Sequence, residues 1–103
     1  MINVLAIITA KPGQRDAVLA AFRANMPAVR AENGCIEYFP AIDTPDAGKI
    51  QTEFGPDTFV VIEKWASMEH LRAHSAAPHM AAYAAKVKDM LASRVIHVLS
   101  PAA

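Results

Sequence analysis

The chain lacks the features that mark several common protein classes. It has one cysteine, Cys35, so no internal disulfide can form, which fits a reducing cytoplasm. No apolar run approaches the ~20 residues of a membrane helix, and the start "MINVLAIITAKPG" lacks the basic beginning and cleavage site of a signal peptide. Basic and acidic residues balance at 10 each, without a basic run. We therefore expect a cytoplasmic protein that binds neither membrane nor nucleic acid.

Common catalytic motifs are missing as well. The four glycines are scattered, which excludes the usual phosphate-binding loops. No serine lies in a nucleophile elbow, and Cys35 at a strand start is interpreted as a small buried hydrophobe. Three of the four histidines, His70, His74 and His79, cluster in "WASMEHLRAHSAAPHM". The i, i+4 pair does not follow the H-E-x-x-H order and no carboxylate or cysteine cluster completes a shell, so we expect no metal site.

What the chain does contain indicates one small domain over residues 1–103. Hydrophobic residues make up 53% of it, a high share for so thin a core, so part of the apolar surface is expected in a subunit interface.

Periodicity and breakers predict an alternation of strands and helices. The predicted elements are a strand over 2–9, a helix over 14–31 with a kink or break before Pro27, a strand over 35–42, a long loop over 43–57, a strand over 58–65, helices over 68–76 and 78–91, and a strand over 94–99. Pro40 favours an edge or bulge for the second strand. Ser67 can cap the helix that follows it, and Pro78 suits the first turn of the next. The buried stripe of that last helix is expected to be Met80, Ala84, Val87 and Leu91. This β-α-β-β-α-β order predicts an α+β, ferredoxin-like fold with an antiparallel sheet. Helices would cover one face only, and a second copy of the chain is expected on the other, giving a homodimer.

Glu63 is an unusual residue in the third predicted strand. Side chains alternate along a strand, so Phe59, Val61, Glu63 and Trp65 share one face. A carboxylate among apolar neighbours is costly unless it is paired, hydrogen-bonded or protonated. Two interpretations stay open at this point: Glu63 pairs with a histidine of the following helix, or it faces solvent on an edge strand.

Two segments, "ENGCIEY" and "FVVIEKWASMEHLRAHSAAPHM", resemble the antibiotic biosynthesis monooxygenase (ABM) family. That family shows an E-x-G-C-x-x-Y turn, an apolar strand ending in E-x-W, a short helix ending in His, and a P-H pair. The matching positions are Glu32, Gly34, Cys35, Tyr38, Glu63, Trp65, His74, Pro78 and His79. The resemblance implies a dimeric α+β barrel with an active-site cavity in each subunit.

The resemblance also implies an activity. Family members include quinol and anthrone monooxygenases that use molecular oxygen without metal, flavin or haem. We therefore expect a cofactor-free monooxygenase acting on a small aromatic molecule, with His74 as base, Glu63 orienting its ring and His79 as the second choice. His70 is expected on the solvent side. The substrate pocket would be lined by Trp65, Tyr38, Phe59 and Phe22.

Other interpretations stay open beside the oxygenase. His74 and Glu63 would also fit a structural pair that fixes helix to sheet. A cofactor-free isomerase of a small, phosphorylated or otherwise polar metabolite would need cations at the cavity mouth, and three candidates cannot be placed from sequence: Lys64, Arg72 and Arg94. The third alternative is a non-catalytic dimer that binds a small molecule. Phe54, in a loop longer than the usual family hairpin, is expected to lid the cavity or to contact the partner subunit.

Overall fold

The predicted order of elements is confirmed in a computed structural model that describes all 103 residues. The strands are β1 (Ile2–Ala10), β2 (Cys35–Ala41), β3 (Thr58–Trp65) and β4 (Leu91–Leu99), and the helices are α1 (Arg15–Arg30), α2 (Met68–Ser75) and α3 (Pro78–Val87). The strands form one antiparallel sheet in the order β2-β3-β1-β4, the ferredoxin-like arrangement. None of the helices combines the length and hydropathy needed to cross a bilayer.

The core lies between the sheet and the helices. In β1 the alternate residues Val4, Ala6 and Ile8 are buried toward the helices, as a period of two requires. Helix α1 lays Val18, Leu19, Phe22 and Val29 over them, at the spacing of one helix face. The crossover after β3 is split in two because Pro78 takes the first turn of α3, where its missing N–H leaves no hydrogen bond unmade.

Helix α1 continues through Pro27, so of the predicted kink or break, the break is wrong. A proline inside a helix removes one backbone donor, but its carbonyl still accepts, here from the N–H of Ala31 at 3.1 Å. Phe22 and Val29 are both buried on either side of the proline, at 3% and 0% exposed. Burial of this face holds the helix together across the missing bond.

The phase of β2 differs from simple alternation. Its register against β3 shifts between Cys35 and Glu37, which inserts an extra residue. As a result Ile36 is 53% exposed, whereas Tyr38 is 5% exposed on the helix side of the sheet. The strand is an edge strand, as Pro40 predicted.

Helix α3 ends earlier, and the last strand begins earlier, than predicted. A 3-10 turn follows α3, and Leu91 pairs with Ala10 of β1 beyond a register shift instead of ending the helix. Of the predicted buried stripe, Val87 is fully buried and Met80 packs partly against the core, but Ala84 is exposed. Strand pairing with β1 outweighs the local helical pattern at this boundary.

The second face of the sheet carries no helix. The register places on it Leu5, Ile7, Phe39, Val60, Ile62, Val95 and Leu99. Three of these, Phe39, Val95 and Leu99, are 37, 47 and 50% exposed. Strand β4 also exposes Ile96 and Val98 on the helix side, at 45 and 47%. We call the helix-free surface the open face.

The segment from 43 to 57 has no helix or strand, as predicted, and β2 ends one residue before its predicted end at Ile42. Its two ends are tied by Asp43, whose carboxylate accepts hydrogen bonds from the backbone N–H groups of Phe54 and Gly55 at 3.0 and 2.9 Å. These bonds hold the pKa of Asp43 below its usual value. The Phe54 side chain remains half exposed at 50%.

Candidate functional site

The sheet side of the candidate site is built by β2 and β3. Tyr38 lies directly across from Glu63 in the register, and Trp65 follows on the same face of β3. The indole Nε1–H of Trp65 donates to Glu63 Oε1 at 2.9 Å. Burial raises the pKa of Glu63, and the bond from Trp65 opposes this increase. The buried carboxyl is therefore satisfied by a neighbouring ring and not by solvent, which rules out the solvent-facing interpretation.

Helix α2 carries His74 onto this surface. Ser67 caps the helix by accepting from the backbone N–H of His70 at 3.3 Å, and the helix then turns Leu71 and His74 inward. His74 is 5% exposed. Its ring centroid lies 4.6 Å from that of Trp65 and 5.6 Å from that of Tyr38. The imidazole is thus enclosed by two aromatic side chains of the sheet.

Glu32 holds His74, so the prediction that Glu63 orients this ring is wrong. Glu32 Oε2 lies 2.7 Å from His74 Nδ1. Since a carboxylate only accepts, Nδ1 carries the hydrogen and Nε2 is the lone-pair nitrogen of the neutral ring. Glu63 is already occupied by Trp65. The turn after α1, with Gly34 in the left-handed region at φ +79°, brings Glu32 to α2.

His79 meets the same carboxylate from α3. Its Nδ1 accepts from the side-chain amide of Asn25 at 3.2 Å, which leaves the hydrogen on Nε2. Nε2 lies 3.4 Å from Glu32 Oε2 but is too poorly aligned for a hydrogen bond, so this buried nitrogen has no hydrogen-bond partner. Glu32 therefore lies between two imidazoles, with His74 the more tightly bound.

Glu32 and Asn25 had no chemical role in the sequence analysis. Glu32 was named only as part of the E-x-G-C-x-x-Y turn, and its place just before a turn glycine was the available signal. Asn25 lies three residues after Phe22 and beside Met26, on the buried side of α1. A polar side chain on an otherwise apolar helix face is the pattern that would have identified it.

The aromatic residues predicted to line a pocket pack on one another. Phe22 stacks on Tyr38 with centroids 5.2 Å apart and meets the edges of Phe59 and Tyr83 at 5.7 and 6.1 Å. Trp65 and Phe59 are 0 and 1% exposed. Burial raises the pKa of the Tyr38 phenol, and raises that of Tyr83 to about 12, so both hydroxyls are protonated donors near neutral pH.

Two grooves border the site. One, of about 350 Å³, runs along the edge strand and is lined by Arg30, Cys35, Ile36, Glu37, Tyr38 and Phe39. The other, of about 270 Å³, lies between α1 and α3 and is lined by Ala21, Ala24, Asn25, His79, Ala82, Tyr83 and Lys86. Of the residues predicted to face substrate, Tyr38 and His79 each line a groove. His74, Trp65, Phe59 and Phe22 line neither.

His70 does not lie on the solvent side, contrary to the prediction. It is half-buried, its Nδ1 lies 2.7 Å from Ser67 Oγ, and its ring packs where a side chain at Gly34 would otherwise project. No group of three or more His, Cys, Asp or Glu side chains is arranged to hold a metal ion. Burial raises the pKa of the Cys35 thiol, which disfavours the nucleophilic thiolate.

Comparison with known proteins gives consistent matches. The family model described as antibiotic biosynthesis monooxygenase matches residues 1–86. The chain is 42% identical over 103 residues to the probable quinol monooxygenase YgiN of Escherichia coli K12, covering 98% of each chain. Among solved structures, PA3566 of Pseudomonas aeruginosa has a TM-score of 0.80 at 27% identity, covering 99% of this chain and 94% of that one. Rv0793 of Mycobacterium tuberculosis has a TM-score of 0.78 at 28% identity, covering 97 and 93%.

Proposed function

Because the chain belongs to the antibiotic biosynthesis monooxygenase family, we propose that it is a cofactor-independent monooxygenase that oxidises a small aromatic quinol or anthrone with molecular oxygen. The observation that carries the proposal is the state of His74. It is a buried imidazole, enclosed by Trp65 and Tyr38, with Nδ1 held by Glu32. Its only hydrogen bond runs through Nδ1, so Nε2 is available as a base.

The reaction needs one base, which accepts a proton from the substrate and later returns it. Nε2 of His74 removes the acidic proton of the substrate, and the electron-rich carbon of the anion forms a bond to oxygen. The proton returns to the resulting peroxide. Loss of the remaining hydrogen from that carbon breaks the O–O bond, which leaves a carbonyl on the product and releases water. One oxygen atom is retained, the other leaves as water, and the protein gains no net proton.

Neighbouring groups fit the charges that arise. When His74 is protonated, its Nδ1–H bond to Glu32 becomes a charge-assisted bond. The neutral phenol of Tyr38, whose pKa is raised by burial, is a donor for the developing oxyanion. Glu63 acts by fixing the indole of Trp65 and not as a base. The rings of Trp65 and Tyr38 lie beside His74, with centroids 4.6 and 5.6 Å from that of the imidazole.

His79 remains the second candidate for the base, and its contacts favour it less. Its Nδ1 lone pair is used by Asn25, and its Nε2 carries the hydrogen and lies 3.4 Å from Glu32 Oε2. Neither nitrogen is free to take a proton without breaking a contact. His74 has such a nitrogen.

The positions of the cations support the isomerase alternative less than the state of His74 supports the oxygenase. Lys64 lies on the open face with its ammonium 3.7 Å from Glu37, and Arg72 is exposed on α2. Arg94 is the one of the three whose charge acts on the site, since it opposes the increase that burial causes in the pKa values of Glu63 and Tyr83. A single cation is a weak basis for binding a phosphate dianion.

We also propose that two copies of the chain pair through their open faces. Phe39, Val95 and Leu99 expose apolar surface there, and an antiparallel sheet with helices on one side needs a cover on the other. Val95→Glu would place a charge in this interface and convert the dimer to a monomer in sedimentation equilibrium. Ala84→Glu, on the exposed side of α3, is the control that should leave the mass unchanged. A monomeric wild type would overturn the proposal.

Oxygen uptake tests the activity. Metal-stripped, flavin-free protein is mixed with a panel of hydroquinones and anthrones, beside the variants His74→Gln and His70→Ala. Gln has a similar volume and keeps an N–H donor, but it cannot accept the proton, so uptake above autoxidation should fall by about 10²–10⁴-fold. The His70 variant removes an imidazole outside the site and should keep most activity. Equal uptake by wild type and His74→Gln would exclude His74 as base, and no uptake at all would favour a non-catalytic binding protein.

A further inference from the structure

The groove between α1 and α3 has an uneven lining. Its walls include the small side chains Ala21, Ala24 and Ala82, and its polar members are Asn25, His79, Tyr83 and Lys86. No carboxylate lines it. At about 270 Å³ it lies just below the size of pockets for drug-sized ligands. The size and the small alanine side chains suit one or two aromatic rings.

The polar members of the groove favour a negative group. Lys86 supplies a cation, and the pKa of Tyr83, raised by burial to about 12, keeps its hydroxyl protonated as a donor. The amide N–H groups of Asn25 are already used by His79 Nδ1 and Met80 Sδ. His79 has its hydrogen on Nε2 while Nδ1 is occupied by Asn25. An anion bound here would meet the Lys86 ammonium and the Tyr83 hydroxyl, and no carboxylate is among the residues that line the groove.

The groove adjoins the catalytic candidates. His79 lies on the groove, and its Nε2 is 3.4 Å from the Glu32 oxygen that is 2.7 Å from His74 Nδ1. Tyr83, on the same groove, packs edge-on against Phe22, which in turn stacks on Tyr38. One layer of side chains, His79 and Tyr83, therefore separates the groove from the aromatic interior that encloses His74.

We propose that this groove is the binding site for an anionic substituent on the aromatic substrate, with Lys86 as its counter-ion. The proposal rests on the proposed function, because it names the class of quinol or anthrone that the same site takes: one or two rings carrying a carboxylate, sulfonate or comparable acidic group. His79 and Tyr83 form the boundary across which the ring reaches His74.

Binding of redox-inactive probes tests the groove without any turnover. Titration calorimetry compares naphthalene-2-sulfonate with neutral 2-naphthalenemethanol on the wild type and on Lys86→Gln. Loss of one partly screened ion pair corresponds to roughly a fivefold increase in Kd, and only the sulfonate should show it. Added salt should reduce the difference between the two probes. Lys88→Gln, a neighbouring lysine that does not line the groove, is the matched control and should bind both probes as the wild type does.

Each outcome decides the proposal. A Kd for the sulfonate that is unchanged by Lys86→Gln, or equally changed by Lys88→Gln, overturns it. So does an equal loss for both probes, since that would mean a change in fold. If the protein takes up oxygen but Lys86→Gln does not change binding of the sulfonate, the proposal for the groove is wrong and the proposed oxygenase activity is retained. If the sulfonate binds selectively but no oxygen is taken up, the groove is supported as an anion-binding site and the proposed oxygenase activity is rejected.

Discussion

The imidazole of His74 and the carboxylate of Glu32 form a 2.7 Å hydrogen bond across 42 positions of sequence. The bond fixes which nitrogen carries the hydrogen, so it prepares Nε2 for chemistry before any substrate arrives. Glu32 touches no reacting atom in the proposed reaction. It is a positioning residue for the base.

Glu32→Gln tests this positioning role. The amide can still accept from Nδ1, but it cannot stabilise a protonated imidazole as an anion does, so kcat should fall about tenfold while KM changes little. Steady-state oxygen uptake against substrate concentration measures both. Glu69→Gln changes an exposed acid on α2 and should alter neither constant. A rise in KM at constant kcat would instead assign Glu32 to substrate binding.

Glu63→Gln should make stability less dependent on pH. Burial raises the pKa of Glu63, so above the ordinary pKa of a glutamate the folded chain holds a proton that the unfolded chain has released. Stability contributed by this group is therefore full at low pH and is lost as the pH rises through the folded pKa. In urea unfolding from pH 4 to 8, the free energy of unfolding of the Gln variant should increase relative to that of the wild type as the pH rises. A constant difference, like that expected of Glu53→Gln in the exposed loop, would contradict the assignment.

Trp65→Phe removes the donor to Glu63 and keeps a ring in the core. A buried acceptor without its partner costs about 1–3 kcal/mol, in addition to the lost packing. Chemical denaturation of the two single variants and of Trp65→Phe with Glu63→Gln gives the coupling energy directly. Additive effects would mean that the 2.9 Å contact contributes nothing to stability.

Gly34→Ala should destabilise far more than Gly13→Ala. Both glycines have left-handed φ, at +79° and +78°, which costs an alanine roughly 1–2 kcal/mol. A Cβ at Gly13 meets nothing within 4 Å, whereas one at Gly34 overlaps the ring of His70. Thermal unfolding should show the additional loss at Gly34 and its recovery when His70→Ala is combined with it. Equal losses at both glycines would show that the ring moves aside freely.

Much of the fold was predictable because its signals are local. The β-branched run predicted β3 with its correct boundaries, Thr58–Trp65. Ser67 and Pro78 indicated where α2 and α3 begin, because a cap or a proline acts on the helical turn in which it lies. The errors fell where packing opposed a local rule. Burial around Pro27 kept α1 continuous, and pairing with β1 took Leu91 into β4.

The candidate site divides in the same way. The residue types were evident from sequence: a carboxylate on an apolar strand face, a tryptophan two residues later and histidines on the following helices. Which group pairs with which was decided by tertiary structure alone. Glu63 is two positions from Trp65 and Glu32 is 42 from His74, yet both bonds form. Periodicity tells which face of an element a side chain occupies, but a hydrogen bond needs atoms within about 3 Å, and only the packed chain brings distant elements to that separation.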